Sequence, residues 1–257
     1  MTLAAIFFAA ATAAATTTCP AFVGQKPELA TFEDVRSSLP QIPPKNDFES
    51  TDTYVRRLAA AEPQGSRSFV LRRTPKYEGE GLSYDPDRRV LTVYRAAFGA
   101  GRTNFNNIGG QGMIRGKDNF ASAIGFEIAT IETGRDTYVA TNGFGAEVTV
   151  VRVTQQVNAL WERPGKQGED PFEHMDSGIV ARIPMEPAVA RDLIEHGAAA
   201  LTFTPKAPYH AATTALVPPS FNSPRERRDV ITVLTGDVHC GFLIDSQGVV
   251  AHAFTVK

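Results

Sequence analysis

VHCGFLIDSQGVVAHAFTV, residues 238–256, decides the fold class. Its two halves are rich in β-branched and aromatic residues, and Asp245-Ser246-Gln247-Gly248 between them places a Gly where a positive φ is easiest. The stretch therefore reads as an antiparallel hairpin. With Ile244 opposite Val249, side-chain alternation puts Cys240, Phe242, Ile244, Val249, Ala251 and Ala253 on one apolar, core-directed face. His239, Gly241, Leu243, Val250, His252 and Phe254 then share a mixed face, with the two histidines diagonal to each other and about 7 Å apart.

Alternation of the same kind recurs upstream at 68–72, 81–84, 89–96, 123–132, 136–141, 147–157, 177–185, 199–205 and 229–235. Asp85-Pro86-Asp87-Arg88 and Thr133-Gly134-Arg135 are short links of turn-forming residues, so both predict hairpins. Helical periodicity occurs twice. Residues 51–61 follow a Ser50 or Thr51 cap and carry Tyr54, Val55, Leu58, Ala59 and Ala61 as an apolar stripe, with Phe48 placed to clamp the first turn. Residues 187–196 open on Pro187 and stop at Gly197, which predicts a strand, helix, strand unit from 177 to 205. The expected fold is β-dominated α+β with largely antiparallel sheets, one N-terminal helix and one helix near 187–196. Long loops are expected at 98–119, 161–178 and 205–228, the first rich in Gly and Asn.

Residues 1–22, MTLAAIFFAAATAAATTTCPAF, carry no charged side chain. The apolar run is about half the ~20 residues a spanning helix needs, yet it has the length of a signal-peptide core, and small residues follow at 11–15. Residues 1–15 are therefore expected to be a cleaved signal peptide. A lipid anchor on Cys19 is the weaker alternative, because Thr16-Thr17-Thr18 stands where such signals carry Leu and small residues. Residues 16–46, punctuated by proline, are expected to be an extended lead-in, and 47–257 a single α+β domain that could subdivide near 162–177. No transmembrane segment is expected in the mature chain.

Only two cysteines occur, Cys19 and Cys240, and both would remain in an exported chain. An oxidising compartment would favour their pairing; the alternative is that Cys240 is a small buried hydrophobe and Cys19 sits on a frayed end. The chain has 257 residues, 42% hydrophobic and 21% charged, with a formal net charge of −2 that points to neither nucleic acid nor an anionic membrane.

Constellations that could carry chemistry are sparse. His239 and His252 could take a metal only if a third ligand joined them, and two histidines on a sheet face are more often solvated. Glu169, Asp170, Glu173, His174 and Asp176 cluster in one loop but match no EF-hand spacing. No metal and no cofactor are assigned. Cys240 with His239 fails as a nucleophile pair, because adjacent strand residues point to opposite faces. Gly109 to Gly116 departs from the phosphate-binding glycine patterns, and GxSxG, SxxK and HExxH do not occur. Arg72, Lys76, Arg88 and Arg89 would form a surface for an anionic envelope polymer only if the fold gathered them. These readings imply an exported bacterial envelope protein, periplasmic or secreted. Its expected activity is non-enzymatic binding or assembly with other envelope proteins or an anionic polymer. The alternative is a periplasmic hydrolase whose carboxylates and histidines meet only in the fold.

Overall fold

The computed structural model describes residues 18–61, 67–75, 77–102, 124–141, 145–162, 178–220 and 222–256. Residues 1–15, expected to be a signal peptide, Lys76, most of the expected loop 98–119 and the cluster from Glu169 through Glu173, His174 and Asp176 lie outside the described residues, as do Gly109 to Gly116.

The lead-in is more structured than its prolines suggest. A 3-10 turn, Cys19–Phe22, is followed by a two-residue strand β1 (Leu29–Ala30) and by helix α1 (Phe32–Ser38). Thr31 starts α1 with a reciprocal cap: its hydroxyl accepts from the Asp34 amide at 3.1 Å, while the Asp34 carboxylate accepts from the Thr31 amide at 3.1 Å. Thr31-Phe-Glu-Asp34 is thus the sequence signal for a helix that an extended reading of 16–46 overlooks. Helix α2 (Thr51–Ala61) forms as expected, with Ser50 Oγ accepting from the Thr53 amide and with Tyr54 and Leu58 buried. Phe48 does not clamp it, being 99% exposed. Arg57 holds that end instead, donating to both Glu49 carboxylate oxygens at 3.0 and 2.8 Å.

The strands are β2 (Phe69–Arg72), β3 (Leu82–Asp85), β4 (Val90–Tyr94), β5 (Ala100–Arg102), β6 (Ile124–Thr141), β7 (Glu147–Glu162), β8 (Ile179–Pro184), β9 (Ala198–Val217), β10 (Arg225–Ile244) and β11 (Val250–Thr255), with helix α3 (Pro187–Glu195) between β8 and β9. They build a β-dominated α+β fold. An eight-stranded sheet runs β1-β2-β9-β10-β7-β6-β5 with β11 also on β10, and β3, β4 and β8 form a second sheet. Pairing is antiparallel except for β1 with β2 and β7 with β10, which are parallel. The β3–β4 turn is the expected hairpin, with Asp85 Oδ1 accepting from the amides of Asp87 and Arg88.

Several expectations need correction. Thr133-Gly134-Arg135 is no turn: β6 passes straight through, absorbing the glycine at a register shift between Glu132 and Gly134. Residues 205–228 are mostly strand, since β9 continues to Val217 and β10 starts at Arg225. Residues 229–235 and 238–244 belong to one strand, with shifts between Leu234 and Gly236 and between Val238 and Cys240. The strand, helix, strand unit expected over 177–205 does form, as β8, α3 and β9, with its strands in different sheets: β8 pairs with β4 while β9 pairs with β2 and β10.

The C-terminal hairpin is antiparallel, but its register differs from the alternation reading. Phe242 faces Ala253 and Leu243 faces His252, whereas Ile244 faces Val250, so Ala251 is the extra residue of a bulge. Val250 therefore joins Cys240, Phe242 and Ile244 in one buried cluster. The other face is also core, with Leu243 buried and Phe254 edge-on to Phe98 at 5.6 Å.

Leu71, Phe126, Leu160, Leu201, Phe203, Leu234 and Leu243 line one face of the large sheet and pack on Leu91 and Val93 of β4, Phe98, Leu193 of α3, and Phe32 and Val35 of α1. A charged hub sits in this core. Arg73, its side chain 2% exposed, donates to the Glu127 carbonyl at 3.0 Å, the Ala97 carbonyl at 3.4 Å and the Glu80 carboxylate at 2.7 Å. Gly99 (φ +65°) lets these segments meet, since a Cβ there would lie 2.1 Å from the Glu127 carbonyl oxygen.

Candidate functional site

Beyond the core, β6, β7, β10 and β9 continue side by side as a four-stranded arm. The dozen residues each contributes correspond to about 40 Å of strand. In β6, residues 131–137 are all exposed, so the alternation of buried and exposed positions is lost there. Paired residues share a face, which places Thr214, Val230, Gln156 and Ile131 in one transverse row and Leu216, Arg228 and Thr154 in the next. Val230 is 42% exposed, Ile131 52% and Leu216 59%, and no described element covers them. Gln156 Nε2 donates to Thr232 Oγ1 at 3.0 Å and Asn158 Oδ1 at 3.2 Å, holding the amide flat along the sheet.

A charge network closes the distal end of this face. Arg152 is the register partner of both Glu226 and Asp136. The Glu226 side chain, only 8% exposed, accepts from the Tyr138 hydroxyl at 2.8 Å, Arg152 Nε at 3.0 Å and Arg228 Nε at 2.6 Å. The Arg152 guanidinium also lies over the Tyr138 ring, 4.6 Å from its centroid. The Tyr138 hydrogen bond, followed by those from Arg228 and Arg152, holds the Glu226 carboxyl below the ordinary glutamate value, against the opposing effect of burial. The same bond pushes the Tyr138 phenol above its ordinary value. Arg225-Glu-Arg-Arg-Asp229 shows this network only to a reader who treats 226 and 228 as one strand face and knows that 152 lies opposite.

A carboxyl whose value is lowered by folding stabilises fully above the unfolded glutamate value of 4.5, and that contribution is lost as pH falls through the folded value. The melting temperature of the native chain is therefore expected to fall more steeply from about pH 5 to pH 3 than that of Glu226→Gln. Parallel curves in thermal melts across that range would remove Glu226 from the account.

The candidates read from the sequence are dispersed. Cys19 and Cys240 are joined in a disulfide, with Cα atoms 5.7 Å apart. Around it Phe22 packs on Phe242 at 5.0 Å, and Gly24 and Gln25 exchange backbone hydrogen bonds with Val250. His239 and His252 are not neighbours: His239 lies opposite Val256 and His252 opposite Leu243, four positions apart and about 13 Å along the ladder. The bulge and the shifted register separate them, and the metal pairing fails on that geometry. Among the described residues no group of three or more His, Cys, Asp and Glu is placed to hold a metal. His252 is half buried, which pushes its imidazole below the ordinary histidine value.

His239 instead ends a row of side chains across three strands. Its Nε2 is 2.9 Å from Thr204 Oγ1, which is 2.8 Å from Ser68 Oγ. The row ties Ser68, immediately before β2, to β9 and β10. Of the arginines considered for a basic surface, Arg88 pairs with Asp85 at 3.8 Å and Arg89 with Glu186 at 3.2 Å, so local carboxylates offset these two. His210 was not singled out by sequence. It is half buried with Nε2 unpartnered among the described residues, and burial pushes its imidazole below the ordinary value.

No protein-family model matches the chain, and comparison with curated proteins and with solved structures finds no match.

Proposed function

We propose that this chain is an exported envelope protein that acts by assembly, through the sheet surface of its arm rather than through a catalytic cleft. The observation that carries the reading is the open face formed by Ile131, Gln156, Val230 and Leu216, apolar and amide side chains held on long paired strands and left uncovered by every described element. A face of this composition can bury apolar area against a partner while Gln, Asn and Thr supply hydrogen bonds at fixed positions. Support for export comes from the disulfide between Cys19 and Cys240, a bond that persists in oxidising compartments. Among the described residues no helix is long and apolar enough to cross a membrane.

The test is a photo-crosslinking side chain placed at Val230 in the native organism, with Gln247, exposed on the C-terminal turn, as the control. A discrete covalent adduct from position 230 and none from 247 is the expected result. No adduct at 230, or equal adducts at both, would overturn assembly through this face. Retention of the chain in the cytoplasm after deletion of residues 1–15 tests the export half separately, and continued export would reject it.

A further inference from the structure

The two outer strands of the arm are built differently. β6 exposes an edge carrying Glu132, Arg135 and Asp136, with a salt bridge of 2.7 Å between the first two and a register shift at Gly134. Charges and bulges of this kind are how native sheets prevent strand addition. β9 has no such protection. β2 pairs only with residues 200–203 and β10 occupies the other side, so the outer edge of 211–217 has no strand partner among the described residues. Its sequence, Ala-Ala-Thr-Thr-Ala-Leu-Val, contains no charge, no proline and no glycine, and Pro208 and Pro218 bound it. An uncharged edge of seven residues, paired to β10 without a register shift, is a template for another strand.

We infer that residues 211–217 of β9 pair with the same residues of a second copy of this chain, antiparallel about a two-fold axis through Thr214. The inference rests on the assembly reading above and names its partner. Self-complementarity selects the occupant. Centring the pair on Thr214 sets Leu216 opposite Ala212 of the other copy and Val217 opposite Ala211, so each large exposed side chain meets a small one. Leu216 and Val217 are 59% and 44% exposed in the single chain. No like charges meet anywhere along the seam, as an isologous interface requires when the strand faces itself. Both faces also gain continuity. Leu216 and Ala212 lie on the open face with Val230, whereas Ala211 and Ala215 pack on the cluster of Ala159, Trp161, Ile231 and Val233. The product is one continuous sheet in which the two arms supply eight strands.

The register makes the test specific. In the oxidised protein purified from its native source, sedimentation and native mass spectrometry are expected to show a dimer at micromolar concentration. Ala212→Lys with Leu216→Lys places two lysine pairs opposite each other and is expected to weaken the dimer at least about tenfold. Ala212→Lys with Leu216→Glu converts the same contacts into two Lys-Glu pairs and is expected to restore it. A chain that is monomeric at every concentration reached would overturn the inference, and so would a dimer equally strong in all three forms. If the native chain is monomeric but position 230 crosslinks to a different envelope component, the assembly reading stands and this pairing falls. If position 230 gives no adduct while the charge pattern governs a dimer, the pairing stands and the open face is not the contact.

Discussion

Cys240→Ser is expected to lower the melting temperature of the oxidised protein by roughly 10–15 °C, and by far less when native and variant chains are compared in reductant. The bond links residues 221 positions apart, so it removes a large part of the freedom of the unfolded chain, worth about 5 kcal/mol by chain entropy. Position 240 is also buried beside Phe242, and a hydroxyl there disturbs packing on its own account. The comparison in reductant separates the two contributions, because only the cross-link disappears from both chains. Cys19→Ser should reproduce the loss, and the double variant should lose no more than either single one. Equal losses with and without reductant would reject the disulfide as the source.

Arg73→Met is expected to cost about 3–5 kcal/mol, which a denaturant titration reads as a shift of midpoint. The reasoning begins with desolvation. Arg73 is held in the core by three acceptors drawn from separate parts of the chain, the carbonyls of Ala97 and Glu127 and the carboxylate of Glu80. Removing the cation leaves Glu80, 13% exposed, without that partner and strips both carbonyls of a donor. Arg73→Lys keeps the charge but loses the fork that serves three acceptors at once, so it should fall between native and Met. Replacing Arg73 and Glu80 together by apolar residues should recover part of the loss, because no buried charge remains. A cost below about 1 kcal/mol for Arg73→Met would mean that the hub is solvated and holds nothing together.

Local signals carried much of this architecture. The Asp245 to Gly248 turn, the Asp85 to Arg88 turn, α2 and α3 all arise from residues adjacent in sequence, and each is where periodicity and turn chemistry place it. Alternation alone breaks the long strands into fragments, because Gly134, Gly236 and Pro205 look like punctuation. Within a sheet the neighbouring strands absorb such residues as register shifts, and Gly236 is there for closeness: a Cβ on it would sit 2.2 Å from the Thr204 carbonyl oxygen. The histidine pairing fails through a one-residue slip at the turn and one extra residue, Ala251, which together shift the register by two in a way no alternation rule can detect. Arg73 and Glu226 were illegible for a different reason. Their partners lie at 80, 97 and 127, and at 138, 152 and 228, and only tertiary pairing brings those positions together.

The parallel pairing of β7 with β10 governs the order in which the protein can be completed. β10 spans Arg225–Ile244, and it is the central neighbour of β9, β7 and β11. A nascent chain emerging N-terminus first therefore holds β7 and β9 with bare inner edges until residues 225–244 are made. Cys19 must wait for Cys240, which is synthesised 221 residues later. No N-terminal fragment that stops before residue 225 contains the strand on which the large sheet closes. During synthesis two long uncapped edges are accordingly exposed together, and a chaperone that shields extended strands is what such a chain needs until β10 arrives.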